Sequence, residues 1–131
     1  MIDKSNEIFN EVAKNLRLLF QGIAVKGENT DTPAQFPTVT IDETKNVPTN
    51  LDSAVYNKYA AVQYKVQVFS NAENKRSQAR AIYSAVDKIL MGIGLYCKTY
   101  STTPAIYNSE IYSITATYEG VIDQNGVIYR N

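Results

Sequence analysis

Tyr59 to Met91 reads YAAVQYKVQVFSNAENKRSQARAIYSAVDKILM, and the change of period inside it decides the fold. Val62, Tyr64, Val66 and Val68 alternate with Gln63, Lys65 and Gln67, the two-residue repeat of a strand with one buried face. Ser70-Asn-Ala-Glu73 then gives the S-x-x-E pattern of a capping box. From there Ala79, Ile82, Val86, Ile89 and Leu90 recur at helical spacing. The expectation is a strand over Tyr59–Phe69 and a helix over Ala72–Met91, stopped by Gly92 and Gly94.

Upstream, Ile8, Val12, Leu16 and Leu19 make the stripe of an amphipathic helix over Lys4–Phe20, widened by Phe9 and Phe20. Asp3 or Ser5 is placed to cap it, and Gly22 ends it. A short strand over Ile23–Val25 follows, then a polar loop over Gly27–Gln35. Phe36-Pro37 leads into a strand over Thr38–Asp42. Glu43 to Lys58 reads as irregular: it holds Pro48, three asparagines and only Val47, Leu51 and Val55 as scattered apolar residues. A loop of that length is unusual in a compact domain and points to function or disorder.

Downstream, Leu95–Thr102 reads as a strand ended by Pro104, with a turn at Asn108-Ser109. Ile111–Ile122 alternates cleanly, Tyr112, Ile114, Ala116 and Tyr118 against Ser113, Thr115, Thr117 and Glu119. Asp123 to Gly126 makes a turn, and Val127–Tyr129 adds an edge strand. The fold class expected is α+β: one domain over residues 1–131, with a single mixed or antiparallel sheet and two helices packed on one face. The other sheet face is polar, rich in Thr and Gln.

Composition narrows the function. Lys plus Arg and Asp plus Glu both number 13, a net charge of zero, where a general nucleic-acid binder carries a basic excess. The absence of histidine removes the commonest general base and metal ligand. The lone cysteine, Cys97, has no partner for an internal disulfide and reads as an ordinary packed side chain. No signal-peptide pattern is visible, and the apolar run Ile89–Cys97 is too short to span a bilayer. A cytosolic product is expected.

Catalytic patterns are correspondingly thin. Gly92-Ile93-Gly94 ends a helix rather than beginning one, which is the wrong end for binding a phosphate. Asp42, Glu43, Glu119 and Asp123 would form an acid–base pair only if two met across the sheet; solvated strand ends are the plainer reading. No metal or cofactor site is expected, and no catalytic residue.

Interaction surfaces are better supplied. Lys75, Arg76 and Arg80 cluster in the early turns of the second helix, where they oppose the helix dipole. A solvated face is the default; the alternative is a patch for an acidic neighbour, such as the Asp42, Glu43 or Glu119 side of another copy. Tyrosine is the outlier, with ten and no tryptophan. Tyr64, Tyr112 and Tyr118 fall on greasy strand faces. Tyr56, Tyr59, Tyr96, Tyr100, Tyr107 and Tyr129 are harder to bury together, and tyrosine is enriched at protein interfaces. Stacking on single-stranded bases is the rival use.

Three strings carry a resemblance: Tyr64-Lys-Val-Gln-Val-Phe-Ser-Asn71 running into a helix with Ala79, Ile82 and Val86-Asp87; Phe36-Pro-Thr-Val-Thr-Ile41 before it; and Ile111-Tyr-Ser-Ile-Thr-Ala-Thr-Tyr118 after it. In that order, behind an N-terminal amphipathic helix, they resemble bacteriophage tail-terminator (tail-completion, head–tail joining) proteins. The likeness spans nearly the whole chain but consists of strand and helix patterns. It implies a non-enzymatic virion protein in the neck, assembled in the host cytoplasm without a cofactor. Such a protein works as a ring, typically a hexamer, that caps the tail tube, ends its polymerisation and offers a docking surface to the head connector. The implied partners are further copies of itself, the tail tube protein, the connector and, where the tail is contractile, the sheath protein; DNA passes through without specific binding. The residues expected at subunit or tube contacts are Val47, Leu51, Val55, Tyr56, Tyr59, Lys75, Arg76, Arg80, Asp42, Glu43 and Glu119. Another neck or tube component is the neighbouring reading, and a small nucleic-acid-binding protein or a carboxylate enzyme a more distant one.

Overall fold

The computed structural model describes residues 3–30, 33–49, 59–105, 108–123 and 127–129. Helix α1 (Ser5–Leu19) is followed by strands β1 (Ala24–Lys26), β2 (Thr38–Thr49) and β3 (Tyr59–Ser70). Helix α2 (Lys75–Ile93) leads to β4 (Tyr96–Ala105), β5 (Asn108–Asp123) and β6 (Ile128–Tyr129). The strands form one mixed sheet in the order β1-β2-β3-β5-β4, with β6 paired to β5. Only β1 and β2 run parallel; the other pairings are antiparallel. This is the α+β arrangement expected, with both helices on one face.

The alternation in β3 reports that face faithfully. Val62, Tyr64, Val66 and Val68 are buried under the helices beside Ile114, Ala116 and Tyr118 of β5. Ala79, Ile82, Val86 and Leu90 of α2 are fully buried, and α1 contributes Ile8, Val12, Ala13 and Leu16. Gly94 closes α2 in the left-handed conformation at φ 120°, which favours glycine, and its amide bonds the carbonyls of Leu90 and Met91. A Cβ there would also stand 3.0 Å from the Ile128 carbonyl oxygen.

Several expectations are corrected. The stretch read as irregular from Glu43 is strand as far as Thr49, paired from Lys45↔Gln63 to Thr49↔Tyr59. A bulge between Glu43 and Lys45 shifts the register and hides the alternation. Pro48 is tolerated because β1 covers only Thr38–Thr40, leaving this part of β2 at the sheet's edge. Residues 50–58 lie outside the described residues. Pro104 likewise sits inside the edge strand β4, opposite Tyr112, rather than ending it. The Asn108-Ser109 turn is already β5.

The helix ends also differ. Leu19 is 64% exposed, because α1 stops there and the chain turns at Phe20 to extended backbone. The capping box does not form: α2 starts at Lys75, and Asn74 makes no side-chain cap bond. The Ser70 hydroxyl instead donates to Gln78 Oε1 while receiving the Ala72 amide, tying the end of β3 to the second turn of α2. Cys97, expected to be packed, is exposed on the edge strand at a bulge between Cys97 and Thr99.

Candidate interaction surfaces

The sheet order sends the expected contact residues to different places. Arg76 and Arg80 are exposed on the first turns of α2, with Lys75 half-buried beside them. Asp42 and Glu43 lie on β2, towards the opposite edge, on opposite faces of the sheet. Val47 is 45% exposed on the outer, helix-free face, and Tyr59 is half-buried at the start of β3 between Thr49 and Asp123. Leu51, Val55 and Tyr56 lie outside the described residues.

Among the described residues, three of the carboxylates Asp42, Glu43, Glu119 and Asp123 bond to groups other than carboxylates. Glu43 points to the helix side, where the Tyr64 hydroxyl donates to its Oε2 at 2.7 Å and Asn46 Nδ2 to its Oε1 at 3.1 Å. Glu119 is on the outer face, where Lys98 Nζ lies 3.1 Å from Oε1 and Tyr96 donates to Oε2 at 3.3 Å. The Lys98 bond holds the Glu119 carboxyl below its ordinary range. Asp123 closes the β5–β6 turn by accepting the Val127 amide on Oδ1. Among the described residues no three metal-ligating side chains converge, and no helix is long and apolar enough to cross a membrane.

The outer face divides in two. At one end the polar segment before β2 covers it: Gln67 Oε1 accepts the Thr30 amide at 2.9 Å and lies 2.8 Å from the Thr40 hydroxyl. Thr38, Thr40, Gln67 and Phe69 are buried there. The rest carries Gln63, Lys98, Thr99, Thr117 and Glu119, with the Thr99 and Thr117 hydroxyls 2.6 Å apart across β4 and β5.

On the helix face a tyrosine network runs from the core to the β4 edge. The Tyr118 hydroxyl donates to Asp87 Oδ1 at 2.6 Å and meets the Tyr83 hydroxyl at 2.6 Å, which in turn lies 3.5 Å from Cys97 Sγ. Burial, then the Asp87 bond, pushes the ionisation of Tyr118 far above the ordinary tyrosine value; burial does the same to Tyr83. Tyr83 also packs on Tyr100 with ring centroids 5.0 Å apart. Tyr112, half-buried beyond them, is held below the ordinary value by a Thr102 bond first and by Arg80 and Arg76. Tyr83 escaped the sequence reading because it flanks the α2 stripe; its offset of four from Ala79 and Asp87 was the available signal.

A mixed sheet with two helices on one face defines the class of fold, and known proteins share it. No protein-family model and no curated protein matches the sequence. Solved structures match the fold: one similar chain comes from "Virion of native gene transfer agent (GTA) particle", at a TM-score of 0.59 and 16% identity, covering 84% of this chain and 90% of that one. At that identity the likeness is one of fold.

Proposed function

We propose that this chain is a structural virion protein of the tail-terminator kind: a ring subunit, typically one of six in such proteins, that caps a tail tube, ends its growth and presents a surface to the head connector. The observation that carries this is the near end-to-end match in fold to a chain of the gene transfer agent virion, together with the resemblance of three strings in register along the sequence. The site geometry supports a non-enzymatic role, since Glu43, Glu119 and Asp123 are each engaged in structural bonds. A ring subunit needs two different surfaces that meet by rotation, and the sheet has two dissimilar edges to offer.

The test is electron microscopy of lysates from a phage with an early stop codon in this gene. Overlong or uneven tails beside DNA-filled, tailless heads are the expected result. Normal virions would overturn the proposal, and tailless heads without tubes would reassign the chain to the tube or its initiation.

A further inference from the structure

The two edges of the sheet differ in both shape and charge. On one side β1 covers β2 only at Thr38–Thr40. Past the end of β1, a groove of about 400 Å³ runs beside Ile41–Glu43, walled by the first turns of α1 and lined by Asn6, Phe9, Gly27, Asp42, Glu43 and Tyr64. Both bonds to the Glu43 carboxylate come from neutral donors, so its charge is not cancelled locally. Asp42 lies opposite Lys65 in the ladder but makes no ion pair among the described residues. On the other side β4 is an open edge, and α2 above it exposes Arg76 and Arg80, which also make no ion pair among the described residues. Between them stand Tyr83 and the 47%-exposed Tyr100.

We propose that copies of this chain associate head to tail, the α2–β4 flank of one seating Arg76 or Arg80 in the β2 groove of the next. The occupant is a second copy because the charges needed on each side are supplied by the other. A guanidinium entering the groove would meet the Glu43 carboxylate and the Phe9 ring, a pairing that suits arginine's flat, multi-donor head. Tyrosine and arginine together are the side chains that concentrate binding energy at protein interfaces. The contact is heterologous, so it builds a ring where the rotation closes, rather than a two-fold dimer; for that closure it rests on the ring reading above.

Native mass spectrometry and sedimentation of the full chain test it, with circular dichroism confirming that each variant is folded. Wild type is expected to form a closed oligomer. Arg76→Glu with Arg80→Glu, or Glu43→Arg alone, should raise the assembly midpoint roughly hundredfold, because like charges then face each other across the contact. Mixing the two defective variants should restore assembly, since each supplies the complement of the other's altered flank; a merely structural effect would not be rescued this way. An oligomer that survives both changes, or a defect that mixing does not repair, overturns this contact and leaves the ring reading standing. A wild-type chain that stays monomeric at millimolar concentration and low salt overturns both.

Discussion

Replacing Tyr118 with Phe removes one oxygen and no packing volume, which makes it a clean probe of the network inside the fold. The Tyr118 side chain is fully buried, and its hydroxyl gives Asp87 a bond of 2.6 Å while meeting Tyr83 at the same distance. A hydrogen bond to a charged group contributes about 1.5–3 kcal/mol, and a partner left buried without one costs in the same range. Tyr83 retains Cys97 as a neighbour, so the main loss falls on Asp87 and the expected change is about 2–3 kcal/mol. For 131 residues the unfolding entropy is roughly 0.28 kcal/mol per kelvin, so Tm should fall by about 7–11 °C. Calorimetry near neutral pH measures this directly. A double-mutant cycle with Asp87→Asn should show that the two changes are far from additive. A fall of less than about 3 °C, or simple additivity, would mean that water serves Asp87 equally well and that the network contributes little to stability.

Alkaline pH should destabilise the fold. Tyr64 and Tyr118 are held above the ordinary tyrosine value, by burial first and then by Glu43 and Asp87 respectively. Their contribution is complete below about pH 10, where unfolded tyrosine is protonated, and is lost above it at up to about 1.4 kcal/mol per pH unit each. Urea denaturation across that range should show the decline, and a flat profile would refute it. Gly94→Ala should cost about 1–3 kcal/mol by chemical denaturation, from the positive φ and the close Ile128 carbonyl; an unchanged midpoint would mean the backbone relaxes freely there. Gln67→Ala should speed hydrogen exchange at the Thr30 amide, which the glutamine side chain accepts; unaltered protection would show that another contact holds the segment. Leu18→Gln and Leu19→Gln, at 77% and 64% exposure, should shift stability by less than about 0.5 kcal/mol in the isolated chain.

How much the sequence disclosed depended on how many neighbours each strand has. The central strands β3 and β5, flanked on both sides and covered by helices on one face, were legible in their helix-side residues by alternation, though at the end of β3 Gln67 and Phe69 are buried on the outer face as well. The edge strands were not. In β2 the Glu43/Lys45 bulge and Pro48 break the pattern that reading relies on, and both are tolerated because no strand pairs with that edge among the described residues. Cys97 fails for the same reason: a small thiol is usually packed, but here it falls at a bulge in β4 beyond the reach of the core. The cationic cluster of α2 was visible as a string. The groove facing it on the far side was not, because it joins Asn6 and Phe9 of α1 to Asp42 and Glu43 of β2, residues far apart in the chain.

The position of β3 bears on how the chain is made. Its first neighbour, β2, precedes it, but its second is β5, so that Gln63, paired with Lys45 on one side, finds its partner on the other only at Glu119. A chain emerging from the ribosome can therefore zip β2 to β3 early, yet it must hold the other flank of a valine-rich strand open until α2, β4 and β5 have been synthesised. Such distant pairings slow folding and leave sticky intermediates in the meantime. Truncation even a short way into β5 should yield aggregated rather than partly folded material, and slower, cooler expression should favour the intact product.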